Sequence, residues 1–253
     1  RTLGIERWLV VGGSWGATLA LCHAAADREA VSGILLRGSF LARDEDVDWF
    51  FQGARDVRPN SWARFAAAAP PPARQRLLDW LGAALLGGPP ADRDAAAHAW
   101  SQWEAAMTRP ASDDRLVDST AAADPASRPP SPSPSPPPPP PVARSIVDRY
   151  RIQAHYLLNG CWLRPPGSLL ERCRGVPSVP ILVLHGTEDV ICRPEGAAAL
   201  HAALPAGAQL RWINGAGHDP THPALADAMV RATDGFLVRG RFDDEGDAPG
   251  AGA

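Results

Sequence analysis

At 253 residues the chain is long enough to bury a full core, either as one large domain or as a core with an inserted lobe. A formal net charge of −3 creates no polycationic field. This argues against nucleic acid or an anionic membrane as partner and favours a small, neutral or weakly charged substrate.

The four cysteines, Cys22, Cys161, Cys173 and Cys192, show neither C-x-x-C nor a His/Cys ligand spacing. They read as unpaired thiols in a reducing compartment, and no metal or other cofactor is called for. No run of eighteen apolar residues appears, and residues 1–13 lack the layout of a signal peptide. The expectation is a soluble, cytoplasmic protein. The basic residues are all arginine.

In chain order, residues 1–7 look like the end of a helix and a turn, and 8–12 form an apolar run suited to a buried parallel strand. A helix-forming run follows over 17–26 and a second strand over 31–37, giving a strand–helix–strand unit and hence a parallel sheet. From 41 to 175 the pattern turns to Trp- and Ala-rich helical segments, such as 49–54, 73–86 and 95–107, which read as an inserted helical cap between core segments 1–40 and 176–239. Within the cap, 125–141 is almost wholly Pro, Ser, Ala and Arg and reads as a disordered or polyproline II insert. Strands are predicted over 180–185 and 208–213 with a helix over 195–204 between them. A final helix over 223–237 is followed by a frayed tail at 240–253.

Gly12-Gly-Ser-Trp-Gly16 is a G-x-S-x-G pattern between a predicted strand and a predicted helix, the context of a nucleophile elbow with Ser14 at its tip. Taken alone it could also be a glycine-rich helix N-terminus that binds an anion. A serine hydroxyl is a weak nucleophile without a base, so an elbow predicts a histidine and an orienting carboxylate later in the chain. Asp189 follows the strand ending at His185-Gly186, with Glu188 as its adjacent rival. His218 lies in a glycine-rich loop directly after the last predicted strand. The other histidines, His23, His98, His155, His185, His201 and His222, mostly fall on helices or strands. The order Ser14, Asp189, His218 predicts a serine-hydrolase triad on an α/β-hydrolase fold.

Several blocks resemble the prolyl aminopeptidases, also called proline iminopeptidases. They are the elbow segment 8–21, Leu36-Arg-Gly-Ser-Phe40, Asp48-Trp-Phe-Phe-Gln52, Ala99-Trp-Ser-Gln-Trp-Glu104, Arg151-Ile-Gln-Ala-His-Tyr156, the segment 185–194 and Gly215-Ala-Gly-His218. The likeness spans nearly the whole chain apart from the proline insert and the tail. It implies release of N-terminal proline from small peptides, without metal, by acyl-enzyme chemistry, and it assigns the acid to Asp189. It further implies that Phe40 and Phe50 wall a proline pocket, that Glu104 and the residue at Gln153 hold the substrate amine, and that the Trp15 N–H serves the oxyanion.

The chain departs from the family in two ways. Gln153 stands where the family has a glutamate. The strands and the His-Gly-Gly-Pro-Gly loop that precede the elbow in the family have no counterpart, so a second oxyanion donor is not identified and one edge of the elbow strand is expected to be unpaired. A cap-bearing esterase or amidase, and a hydrolase remnant that binds without turnover, are the competing readings. Oligomeric state is not indicated.

Overall fold

The computed structural model describes residues 4–109, 112–116 and 143–242. The expected proline-rich insert at 125–141 and positions 243–253 of the expected tail lie outside the described residues. In chain order the elements are β1 (Trp8–Gly13), α1 (Trp15–Ala26), β2 (Val31–Arg37), α2 (Asp44–Phe51), α3 (Pro59–Ala67), α4 (Leu77–Gly87), α5 (Pro90–Thr108), α6 (Ser112–Leu116), α7 (Arg144–Leu158), α8 (Leu169–Arg172), β3 (Ile181–Gly186), α9 (Pro194–Ala203), β4 (Gln209–Ile213) and α10 (Pro223–Arg239).

The chain divides into two compact units, Arg1–Asp46 with Leu163–Ala253, and Val47–Trp162. The division falls inside the sequence-based limits of 41 and 175. Residues 163–175 belong with the first unit because α8 and the 3₁₀ turn Cys173–Gly175 after it pack on α1, burying Leu169 and Cys173.

In the first unit four parallel strands lie in the order β1-β2-β3-β4. The central strands are buried on both faces, with all six residues of β3 and Ile34, Leu35 and Leu36 of β2 removed from solvent. That is why they read as continuous apolar runs rather than alternating ones. Among the described residues β1 pairs with β2 alone, and its side chains Trp8 and Val11 are 39% and 51% exposed. The expected helix end within 1–7 is not seen over residues 4–7, which form a bend and irregular chain.

The expected tail also begins later than its composition suggests. Gly240 closes α10 in a left-handed conformation (φ 69°), its N–H donating to the Phe236 carbonyl at 2.8 Å. Phe242 then folds back, 5% exposed, onto the Phe236 ring at 5.2 Å. A glycine cap followed by an apolar contact is a common way to end a helix and hold the next residues in the core.

The second unit is built on aromatic contacts. Trp100 meets Phe51 edge-on at 5.0 Å, and Trp103 stacks on Phe65 at 5.5 Å while its indole N–H donates to the Phe50 carbonyl. Such pairs each add about 0.5–1.5 kcal/mol beyond their burial.

The start of α3 is capped from a distance. Asp114 accepts from the Asn60 and Ser61 amides at 3.1 and 2.9 Å, satisfying donors that have no intrahelical partner. Burial pushes the Asp114 carboxyl up, but the Ser61 and Asn60 hydrogen bonds and the charge of Arg58 outweigh it and hold the carboxyl below its ordinary value. Asp114→Ala is therefore expected to lower unfolding stability by about 1 kcal/mol at neutral pH. With the folded-state value depressed, the difference should persist above the ordinary carboxylate range and vanish as pH falls through the lower one. Chemical denaturation of both proteins at pH 7 and at about pH 3 checks this.

Candidate active site

Because all four strands run the same way, the segments following β1, β2, β3 and β4 emerge on one edge of the sheet, where open α/β sheets bind ligands. Ser14 follows β1, Gly38 to Phe40 follow β2, Thr187 to Asp189 follow β3 and Asn214 to His218 follow β4.

Ser14 sits at φ 55° and ψ −123°, a conformation that costs a non-glycine residue on the order of 1–3 kcal/mol. The turn that imposes it is tight. A Cβ on Gly12 would collide with the Gly16 carbonyl, whereas one on Gly16 would meet nothing among the described residues. Of the two outer glycines in the motif, only the first is therefore required sterically here. The Ser14 amide is held by the Arg37 carbonyl at 3.0 Å.

His218 places Nε2 3.0 Å from Ser14 Oγ and Nδ1 2.8 Å from Asp189 Oδ2. Asp189 is 2% exposed, and its Oδ1 accepts from the Ile191 and Cys192 amides at 3.0 and 2.9 Å. With Oδ2 acting as acceptor, Nδ1 carries the imidazole proton and Nε2 is left to accept from the serine hydroxyl. Glu188 is exposed, with its main-chain N–H bound to the Ala216 carbonyl. The carboxylate against the histidine is thus that of Asp189.

Two neighbours were not singled out by sequence reasoning. His185 is fully buried on β3, 3.9 Å from Asp189, and its Nε2 pairs with the Cys192 carbonyl at 2.8 Å, bracing the loop that carries the acid. Burial lowers its pKa against the opposing charge of Asp189, so the ring is neutral. The Cys192 thiol is in hydrogen-bonding contact with Ser14. Burial, followed by the charge of Asp189, raises its pKa well above the ordinary value. The thiolate is the reactive form, so this sulfur does not compete with the serine as nucleophile. The only sequence signal was a position three residues after Asp189.

Gly38 explains the glycine after β2. Its φ is 46°, and a Cβ there would stand 3.2 Å from both Asp189 Oδ2 and His218 Nδ1, against the acid–base hydrogen bond.

Trp15 opens α1, so its main-chain N–H lies in the first turn, the positive end of the helix. Phe40 packs beside the Trp15 ring at 6.3 Å, and its carbonyl accepts from the Thr18 hydroxyl.

The remaining sequence-predicted residues lie in the second unit. There Glu104 Oε2 accepts from Arg149 at 2.7 Å and from the Tyr150 hydroxyl at 2.8 Å, while Gln153 Nε2 approaches Oε1 at 3.4 Å. Burial, then the charge of Glu104, raises the Tyr150 hydroxyl well above its ordinary pKa, keeping it a donor. Phe50 packs on Phe51 and Trp103. Among the described residues no group of His, Cys, Asp or Glu is arranged to hold a metal ion, and no helix is long and apolar enough to cross a membrane.

A sequence model described as the alpha/beta hydrolase fold matches residues 1–222. A proline iminopeptidase of Xanthomonas citri is 37% identical over 235 residues, covering 92% of this chain and 68% of that protein. One from Neisseria gonorrhoeae is 32% identical over 239 residues, covering 94% and 69%. Among solved structures, MGS-M2, an alpha/beta hydrolase enzyme from a deep-sea metagenome library, aligns with a TM-score of 0.53 at 15% identity, covering 96% of this chain and 70% of its own. Esterase E22 aligns with a TM-score of 0.53 at 16% identity, covering 93% and 62%. These two show the fold alone. The sequence relationships go further, and the chain belongs to the proline iminopeptidase family of α/β hydrolases.

Proposed function

We propose that the protein is a serine peptidase that releases N-terminal proline from small peptides through an acyl-enzyme. The observation that carries this reading is the continuous relay from Ser14 Oγ through His218 to the buried Asp189. The names of the relatives supply the substrate class.

In the reaction, Ser14 Oγ gives its proton to His218 Nε2 as it attacks the carbonyl of the proline residue. Asp189 holds Nδ1–H and stabilises the imidazolium that forms. The Trp15 N–H, in the positive turn of α1, stabilises the developing oxyanion. His218 then protonates the departing amine, which breaks the amide bond and leaves a prolyl ester on Ser14. Water, deprotonated by the same imidazole, releases proline. The substrate-binding roles that the family resemblance gives Phe40, Phe50, Glu104 and Gln153 belong to this reading.

One observation favours a cap-bearing esterase or amidase as the second reading. The Glu104 carboxylate is already paired with Arg149, and Gln153 adds no charge. The two readings separate on substrates: a free proline arylamide, its N-acetylated form and a simple acyl ester. Under the peptidase reading the free amine is preferred. Gln153→Glu should then raise kcat/KM for it by roughly tenfold, equal to about 1.4 kcal/mol, and leave the acetylated form unchanged. Equal gains on both, or silence of both Gln153→Glu and Glu104→Gln, would favour the esterase reading.

A further inference from the structure

We propose that Arg37 is a positioning residue for the Ser14–His218 pair, holding the nucleophile elbow through its main chain and the base-bearing loop through its guanidinium. The proposal rests on the triad reading above.

Arg37 ends its strand and is the one charged residue in it. It stands in register with Gly13 on one side and Leu184 on the other, so it occupies the sheet edge between the elbow and the acid-bearing strand. Its carbonyl accepts from the Ser14 amide at 3.0 Å, and its Nη1 donates to the His218 carbonyl at 3.2 Å. One residue thus bonds to the backbone of both members of the proton-transferring pair, which are far apart in sequence.

The space for this clamp is visible in the elbow. A Cβ on Gly13 would stand 2.5 Å from Arg37 Nε and 2.7 Å from Cζ, so the guanidinium lies directly against the Gly13 backbone. The middle glycine of the motif makes room for it.

Burial lowers the Arg37 pKa, while the charges of Asp189 and Asp219 act to raise it. The side chain is a half-buried cation facing groups from the acid loop and the base loop. A guanidinium can donate to a carbonyl while its remaining N–H groups face those acids, a geometry a lysine matches only in part. The His218 loop is tied to the acid loop at Gly215 and Ala216, and the Arg37 bond is the one that falls on His218 itself, whose Nε2 stands 3.0 Å from Ser14 Oγ. A displacement of about 1 Å in such a pair costs about 100-fold in rate.

The test measures the rate at which a fluorophosphonate labels Ser14 in the full chain, with Arg37→Ala, Arg37→Lys and Arg37→Gln beside the parent. This readout needs no proline substrate. Arg37→Ala should slow labelling by about 10- to 100-fold. Millimolar methylguanidinium should restore much of the loss in Arg37→Ala and leave the parent unaffected, and Arg37→Lys should fall between the two.

Labelling of Arg37→Ala at the parental rate would overturn the proposal. So would a slow Ala variant that methylguanidinium fails to rescue while Lys is equally slow, which is the pattern of lost packing. If Arg37→Ala does not fold, the volume-preserving Gln and Lys variants decide: Gln well below Lys supports the clamp, and equality of both with the parent refutes it. A parent that does not label overturns the triad reading and this proposal together. A parent that labels but ignores proline substrates overturns only the substrate assignment.

Discussion

Ser14→Ala and His218→Ala are each expected to lower kcat by about 10⁶-fold, and the double variant by no more than either alone, because nucleophile and base act as one unit. Two neighbours among the described residues, His185 and Cys192, are poorly placed to substitute. His185 is sealed within β3, with its Nε2 engaged at the Cys192 carbonyl. The Cys192 thiol is held protonated by burial. Fluorophosphonate labelling of the parent and steady-state hydrolysis of a proline arylamide check both substitutions. Labelling that persists in Ser14→Ala would displace the nucleophile assignment. Residual turnover of a few per cent in His218→Ala would point to another base.

The parts of the site legible in the sequence were those where chain geometry forces residue type. A serine at φ 55° between a strand and a helix needs a small neighbour where the Gly16 carbonyl comes close, and that need is written as Gly12. Strands buried on both faces appear as apolar runs, so β2 and β3 were found almost to the residue. The helices of the second unit were less legible. The sequence reading placed a helix over 73–86, whereas residues Pro71–Arg76 form a 3₁₀ segment and α4 begins at Leu77. Proline at 70 to 72 fixes φ without deciding which helix type follows. α3 was passed over because its short run of mixed character is held by the Asp114 carboxylate, distant in sequence, rather than by a local cap.

The role of Arg37 was hidden for a different reason. Its partners, the Ser14 amide and the His218 carbonyl, are backbone atoms, and backbone atoms leave no mark on residue type. Only its place as the one charged residue of its strand, at the carboxyl end where ligands bind, hinted at a task. Phe242 was missed because two glycines and a run of acidic residues around it dominate the local composition, while its single ring decides where the chain leaves the core.

Asp189→Asn should lower kcat by roughly 10⁴-fold, whereas Glu188→Gln, one residue away, should change it less than twofold. Sequence alone left these two carboxylates as neighbours in one loop, and burial separates them. Asp189 Oδ1 is occupied by the amides of Ile191 and Cys192, which fixes Oδ2 toward His218. Glu188 is exposed. An asparagine at 189 keeps the shape and, with its carbonyl oxygen on the two amides, turns its NH₂ toward His218 Nδ1. A donor there forces the proton to Nε2, the nitrogen that must accept from Ser14, so the imidazole is held in place in the wrong tautomer. The fold should therefore survive while catalysis fails. Equal thermal midpoints for Asp189→Asn and the parent, beside a large loss in kcat and little change in KM, would mark this cause. At alkaline pH, hydroxide can take the serine proton without the histidine, so the deficit of Asp189→Asn should shrink as pH rises, while Glu188→Gln follows the parent at every pH. If Glu188→Gln proves the more damaging of the two, the carboxylate assignment is wrong.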